Sequence, residues 1–415
     1  MKACGCLFCL AFPLMSLAET SVTVDSIMRA GRKTKVTYTL ADGPAIVTFD
    51  IETNATAGTW TSVGGDKVKL VAGDVNQRVD KSSGSFDWIS DESWLIGALA
   101  EGQARAVVRA WALDDPPTYL ALNLSAPSNC LFFASVESFP VPVTDSSWKK
   151  DWLVMRRIPA AGVKWRMGTP TTEANRQGDA ATNNETGHYV TLRDDYYISI
   201  FQLSARQFSR LIRVPEYVNH DGLGPVLKTQ GIGPKTQLGY TASRGEGDAY
   251  VWPEKGHAVD PTKILGRLRA HGGLAFDLPT EAQWEYACRA GRGTRYFWSD
   301  APAELANPDD ALFAYASANG EIAEVGGRKP NPWGLYDMIG NAREVCLDWV
   351  GPFSSADAVD PVGPQTGEET VHRVARGVNG STEAELRIGY RPNDETPTRN
   401  ALDTALRVVC PARMW

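Results

Sequence analysis

Asp337, Asn341 and Glu344 stand close together in the stretch Asn331 to Trp349, NPWGLYDMIGNAREVCLDW, grouped around Gly340. Pro332 and Gly334 force a turn ahead of them, and a glycine-broken backbone brings its own carbonyl groups into the same place. Hard oxygen donors crowded in this way suit calcium. The same residues also read as a tight turn whose Asx side chains bond their own backbone. Other chemistry has less to draw on. His188, His220, His257, His271 and His372 are scattered without H-x-H or H-x3-H spacing, and no G-x-S-x-G elbow, P-loop or H-E-x-x-H pattern occurs.

Thiols are the remaining reactive groups, and the N-terminus decides how many count. MKACGCLFCLAFPLMSLAET carries one lysine, an apolar run from Leu7 to Leu17 and the small-x-small signature Ser16-Leu17-Ala18. Residues 1–18 therefore read as a secretory signal peptide. A membrane span needs about 20 apolar residues, whereas this run is shorter and Pro13 interrupts it. Export, to a periplasmic or extracellular place, is the expectation, without a membrane span. Cys4, Cys6 and Cys9 leave with the signal, and Cys130, Cys288, Cys346 and Cys410 remain. An even number in an exported chain permits disulfides, and four cysteines allow three pairings. The formal net charge of −7 and pI near 5.4 give no basic footprint for nucleic acid or anionic lipid.

The 415 residues, 43% hydrophobic and 22% charged, suit two or three domains with real cores. From about Ser21 to Ala126, KVTYTL, IVTFDI, KVKLV, RAVVRAWAL and TYLALNL are short, β-branched or aromatic, and separated by turn residues. That pattern predicts an all-β immunoglobulin-like or fibronectin-like sandwich over 21–126. Its Trp60, Trp88, Trp94 and Trp111 belong to the core or form a sugar-stacking platform. Residues 127–152, broken by Pro127, Pro140 and Pro142, read as a linker with one strand at LFFASV. The second domain then spans 153–415. Ser204 to Gln207 and Thr280 to Gln283 are capping boxes that start two helices. The glycine- and charge-rich stretch Asn219 to Gly273 reads as surface loop.

NPWGLYDMIGNAREV resembles the N-x-x-G-L-Y-D-M-x-G-N-x-W-E signature of the formylglycine-generating enzyme (sulfatase-modifying factor) family. KWRMGTP at 164–170, GHYVTLRDDYYIS at 187–199, FDLPTEAQWEYACRAG at 276–291 and RVARG at 373–377 resemble further family segments, in the family's order. The resemblance covers residue 150 or so to the C-terminus. It implies an α+β, C-type-lectin-like domain with low secondary-structure content after the sandwich. It also implies one structural calcium ion, held by the side chains of Asp337 and Glu344 and the carbonyls of Gly340 and Ala342. In some members a disulfide joins the places held here by Cys288 and, two residues displaced, Cys410; a free buried thiol in the helix is the other reading.

The family's oxidation of a sulfatase cysteine uses copper(I) on two thiolates, a pairing that soft metal chemistry requires. They follow an R-G-G-S segment, which here reads RGVNGSTEAELRIGYRPN from Arg376 to Asn393, and no cysteine occurs from Leu347 to Val409. Thr382 falls where the first thiolate would be, Val378-Asn379 replaces glycine and serine, and Arg343 replaces the signature's tryptophan. Copper is therefore not expected. The reading that follows is a secreted, non-catalytic relative, with Arg343, Asn379 and Thr382 flooring a groove for a peptide or glycan, an anionic one given the arginine. An active oxidase and a structural surface-assembly protein are the alternatives, the latter favoured if Arg343 is buried against Glu344 or Asp348.

Overall fold

The computed structural model describes residues 20–54, 59–89, 103–126, 130–176, 185–212, 231–245, 258–300, 322–364, 372–378, 382, 384–392 and 403–413. The expected signal peptide, Trp94, His220 and His257 lie outside them. No described helix is long and apolar enough to cross a membrane.

The N-terminal part is two sheets sharing one apolar core. Strands β1 (Ser21–Ala30), β2 (Lys33–Ala41), β3 (Ala45–Thr53), β4 (Thr61–Ser62), β5 (Val71–Gly73), β6 (Gln77–Val79), β7 (Ser83–Ile89) and β8 (Ala104–Trp111) follow in order. One sheet runs β1-β2-β7-β5, and the other is β4-β3-β6 with β8 also paired to β3. β2 alternates in period two, with Thr34, Val36, Tyr38 and Leu40 buried, as a strand with one wet face should. Phe86 and Trp88 of β7 meet Phe49 across the core. β3 is buried almost throughout, because Val47, Phe49 and Ile51 face this core while Ile46 belongs to the neighbouring one. Of the tryptophans, Trp88 is core, Trp111 donates to Thr48 Oγ1 at 2.9 Å, and the Arg105 guanidinium covers Trp60 at 4.4 Å.

The second part begins earlier than the sequence suggests. β9 (Tyr119–Asn123) and β10 (Cys130–Phe133) join β11 (Trp152–Ile158), β14 (Tyr196–Ser199) and β19 (Val409–Pro411) in one antiparallel sheet ordered β10-β9-β11-β14-β19. TYLALNL is thus a strand, as expected, but of the second sheet and not the sandwich. The span 127–152 is no plain linker either: besides β10 it holds α1 (Ser147–Lys150), with Trp148 buried. Strand patterning identifies an element, while its partner is settled by contacts the local sequence does not carry. The two parts press together where the Gly65 amide donates to the Glu137 carbonyl at 2.6 Å; a Cβ on Gly65 would stand 2.1 Å from the Ser138 carbonyl oxygen.

The rest of the second part is small sheets and short helices. β12 (Lys164–Met167), β13 (His188–Thr191) and β16 (Ala358–Val359) form one three-stranded sheet. β15 (Arg343–Trp349) lies between β17 (Arg373–Arg376), antiparallel to it, and β18 (Thr404–Ala405), parallel to it. The helices are α2 (Ala205–Ile212), α3 (Tyr240–Arg244), α4 (Ile264–Gly272) and α5 (Glu281–Arg289). Both capping boxes form. The Gln207 amide donates to Ser204 Oγ at 3.1 Å while Gln207 Oε1 accepts from the Ser204 amide at 2.9 Å, and Thr280 with Gln283 repeats the pattern at 3.1 and 2.9 Å. The expected loop 219–273 is corrected in part: α4 buries Ile264, Leu265 and Leu268, a helical stripe thinned by its intervening arginines.

Candidate functional site

The turn ahead of β15 is pinned to α5. Asn331 Oδ1 accepts from the Trp333 and Leu335 amides at 3.0 and 3.1 Å, an Asx turn, while Asn331 Nδ2 donates to the Ala287 and Cys288 carbonyls at 2.8 and 3.1 Å. The side chain thereby satisfies orphan carbonyls in the last turn of the helix. Beyond it the backbone turns left-handed at Asp337 (φ 54°), Gly340 (φ 90°) and Asn341 (φ 65°). Two of these are not glycine, a conformation that costs free energy and persists only when its surroundings hold it. Asn341 is held by a two-way bond with Ala323, its Oδ1 accepting at 2.9 Å and its Nδ2 donating at 3.3 Å.

These turns aim carbonyl groups at one buried point. Gln202 Nε2 lies 2.8 Å from the Ala342 carbonyl oxygen, 2.9 Å from Glu344 Oε1, and 3.4 Å from each of the Asp337 and Gly340 carbonyl oxygens. All four residues read from the sequence as a metal set, Asp337, Gly340, Ala342 and Glu344, therefore converge. Asp337 does so through its backbone and not its carboxylate, which corrects the expectation. Its Oδ2 accepts from the Gly326 amide at 2.6 Å, its Oδ1 has no partner among the described residues, and burial pushes its carboxyl up to about 6.

Glu344 is shared. Arg407 Nη2 and Nε hold its two oxygens at 2.7 Å each, and Trp284 Nε1 donates to Oε2 at 2.6 Å. Arg407 is fully buried and spends its other donors on the Ser199 and Tyr336 carbonyls at 2.8 and 2.7 Å. Gln202, Trp284 and Arg407 are the residues that sequence reasoning missed. They reach Glu344 from 142, 60 and 63 positions away, and only the position of Gln202 just ahead of a capping box marks it.

The groove residues fare differently. Arg343 Nε lies 2.6 Å from Asp403, and not against Glu344 or Asp348. Thr382 is exposed, its amide and hydroxyl both donating to Glu385 Oε2 at 3.0 and 2.9 Å. Asn379 lies outside the described residues. Arg343 and Thr382 are each committed to a carboxylate.

The expected Cys288 to Cys410 disulfide is not formed, and the four cysteines are free thiols. Cys288 faces the Met338 carbonyl at 4.0 Å, whereas Cys410 sits in β19 opposite Tyr197. Cys346 faces the Glu344 carbonyl and Cys130 the Gly272 carbonyl, each at 3.9 Å. Burial raises all four; Cys130 is pushed up to about 12. These are poor thiolates.

A second buried network flanks the first. Glu281, the first residue of α5, accepts from Arg376 Nη1 at 2.6 Å and from Arg391 Nε and Nη2 at 2.8 and 2.9 Å; Arg376 Nη2 reaches Glu285 at 2.8 Å. Asp348 accepts from the Glu281 amide at 2.7 Å, and its carboxyl is pushed from 3.8 up to about 7, first by burial and then by the charge of Glu281, against Arg391. The folded protein thus keeps a proton that the unfolded chain has released, so stability is lost as pH rises from about 4 to 7. Asp348→Asn keeps an acceptor for the helix amide. Its stability relative to the parent chain should rise between pH 5 and pH 8, by up to about 3 kcal/mol, in urea unfolding at the two pH values; a constant difference would show that Asp348 titrates normally.

Residues 161–412 match the sulfatase-modifying factor enzyme 1-like domain. The chain belongs to the sulfatase-modifying factor family. The formylglycine-generating enzyme of Bos taurus is 35% identical over 248 residues, covering 52% of this chain and 64% of that protein. The serine/threonine-protein kinase pkn1 of Chlamydia pneumoniae is 38% identical over 104 residues, 24% of this chain and 15% of that one. The chain thus spans less than two thirds of the length of these relatives. Among solved structures, Treponema denticola variable protein 1 aligns at a TM-score of 0.46 and 22% identity, over 63% of this chain and 95% of that one. The matched span takes in the buried ring and its carboxylate, while β9 and β10, which complete the domain's main sheet, precede it.

Proposed function

We propose that this chain is a secreted, non-catalytic member of the sulfatase-modifying factor family that presents a peptide- or glycan-binding surface on a calcium-braced, C-type-lectin-like scaffold. The observation that carries the reading is one of composition: no cysteine stands between Leu347 and Val409, a span that contains Arg376 to Asn393, the segment that resembles the family's copper-binding segment. Soft copper(I) has no thiolate pair there, and hydroxyl or guanidinium groups do not replace one. The thiols of Cys130, Cys288 and Cys346, each against a carbonyl, lend support.

Calcium is the group to which the ring is suited. Three carbonyl oxygens and one carboxylate oxygen lie within 3.4 Å of the Gln202 side-chain nitrogen, a buried gathering of hard oxygen ligands of the kind that suits calcium. The carbonyls of Asp337, Gly340 and Ala342 and the carboxylate of Glu344 would hold the ion, which would brace the left-handed turn. The Arg343, Asn379 and Thr382 groove has less support, since Arg343 already meets Asp403 and Thr382 meets Glu385. The N-terminal sandwich, in this reading an immunoglobulin-like module, adds a second surface. The relatives' names favour another reading, an active oxidase of a sulfatase cysteine.

Incubation with copper(I), oxygen and a cysteine-containing sulfatase-motif peptide separates the two readings. Mass spectrometry after oxime trapping is expected to return the peptide unchanged; an aldehyde at the cysteine would overturn the non-catalytic reading.

A further inference from the structure

We propose that a cavity where the N-terminal part meets the second part binds one neutral sugar ring, with Asp50 and Asn76 as its hydrogen-bonding residues. The site is separate from the ring around Glu344 and from the Arg343 groove, and it stands whether or not the chain oxidises a peptide cysteine. The cavity measures about 200 Å³ and is bounded by Phe49, Asp50, Val68, Leu70, Asn76 and Phe133 among others. Both parts build it, since Phe49 and Asp50 belong to β3 and Phe133 to β10. The volume is that of roughly seven waters. It is smaller than the site of a drug-sized ligand and suits a single six-membered ring with its hydroxyls.

Asp50 Oδ1 accepts from the Ile51 amide at 2.7 Å and the Ser62 hydroxyl at 3.0 Å, which fixes the carboxylate, while its Oδ2 takes no bond among the described residues. Burial raises this carboxyl above its usual range, as befits a half-buried oxygen without a donor. Asn76 is left-handed at φ 54°; its Oδ1 accepts from the Phe49 amide at 3.3 Å, and its Nδ2 makes no bond among the described residues. One unused acceptor and one unused donor thus border the same cavity, whose remaining walls are largely apolar. A hydroxyl both donates and accepts, so neighbouring hydroxyls of one sugar can serve both residues while its C–H face lies on the apolar wall. Charge favours a neutral ligand, because the Asp50 carboxylate and the Lys69 ammonium both border the cavity and neither sign prevails. The rim is strained as well. Leu70 is 48% exposed and left-handed at φ 66°, a costly conformation for a bulky residue and one that gathers at ligand clamps.

The test titrates the full chain with the methyl glycosides of glucose, galactose, mannose and N-acetylglucosamine, read by saturation-transfer NMR and by Tm. At least one is expected to bind in the millimolar range and to raise Tm. Asp50→Asn keeps the acceptor for Ile51 and Ser62 and can present a donor in place of Oδ2. Asn76→Asp keeps the acceptor for the Phe49 amide and presents an acceptor in place of Nδ2. Each exchange reverses one hydrogen bond at nearly constant shape, and each should weaken the bound glycoside about tenfold or more. No binding by any of the four glycosides overturns the proposal. So does binding that either folded variant retains at the parent's affinity, which would put the sugar elsewhere; should one variant fail to fold, the other decides. Methylammonium or acetate binding more tightly than every glycoside would assign the cavity to a charged ligand and overturn the neutral reading.

Discussion

Arg407→Met is expected to destabilise the sulfatase-modifying factor domain by about 3 to 5 kcal/mol, the cost of leaving one member of a buried ion pair behind. Arg407 is fully buried and makes four bonds of 2.7 to 2.8 Å, two to Glu344 and one each to the Ser199 and Tyr336 carbonyls. Methionine fills the volume and supplies none of them. In chelator, the Glu344 carboxylate would be left with Trp284 and Gln202 as donors and no compensating cation. For a domain of this size the loss corresponds to a fall in Tm of roughly 6 to 20 °C. Adding Glu344→Leu removes the stranded charge, so the double variant should lose less than the sum of the two single losses. Urea unfolding of all four chains measures both quantities. A loss below about 1 kcal/mol for Arg407→Met would mean that water reaches this pair.

The second large effect belongs to Glu281→Ala, with an expected cost of at least about 3 to 5 kcal/mol. Glu281 takes one bond from Arg376 and two from Arg391, and both arginines are almost wholly buried. Alanine would leave two guanidinium groups facing each other across the start of α5, with Glu285, already shared with Arg289, reaching Arg376 of the two. Arg391→Met in the alanine background removes one of the two cations that Glu281 had bonded and should recover part of the loss. Arg391 also donates to the Gly351 carbonyl at 3.0 Å and its guanidinium covers the Phe353 ring at 4.0 Å, so the recovery stays partial. No recovery at all would show that Arg391 is held by those contacts and not by Glu281.

Elements whose causes lie within a few residues were legible before any coordinates. Both capping boxes and the alternating strands of the N-terminal part follow from local chemistry, while the four ring residues in DMIGNARE were implied by the family resemblance. What escaped needed partners from afar. TYLALNL was readable as a strand but not as the neighbour of β11. α4 hid in a stretch whose charges outnumber its buried Ile264, Leu265 and Leu268. Gln202, Trp284 and Arg407 carry no local mark of their role, because each meets Glu344 only after the chain has closed. The proposed disulfide failed for the same reason. Two cysteines at suggestive positions in a sequence need not face each other, and here each is oriented by a different strand or helix.

The ring's composition also bears on how such a domain changes over evolutionary time. Three of its oxygens belong to the main chain at Asp337, Gly340 and Ala342, and every amino acid brings a carbonyl with it. Residue replacement at such places tests only whether the path of the backbone survives, whereas a centre built from two sulfur atoms disappears with the first loss of either. In the proposed reading, descent has discarded a reactive centre and still handed on the main-chain ring, leaving a framework on which other surfaces are free to diverge.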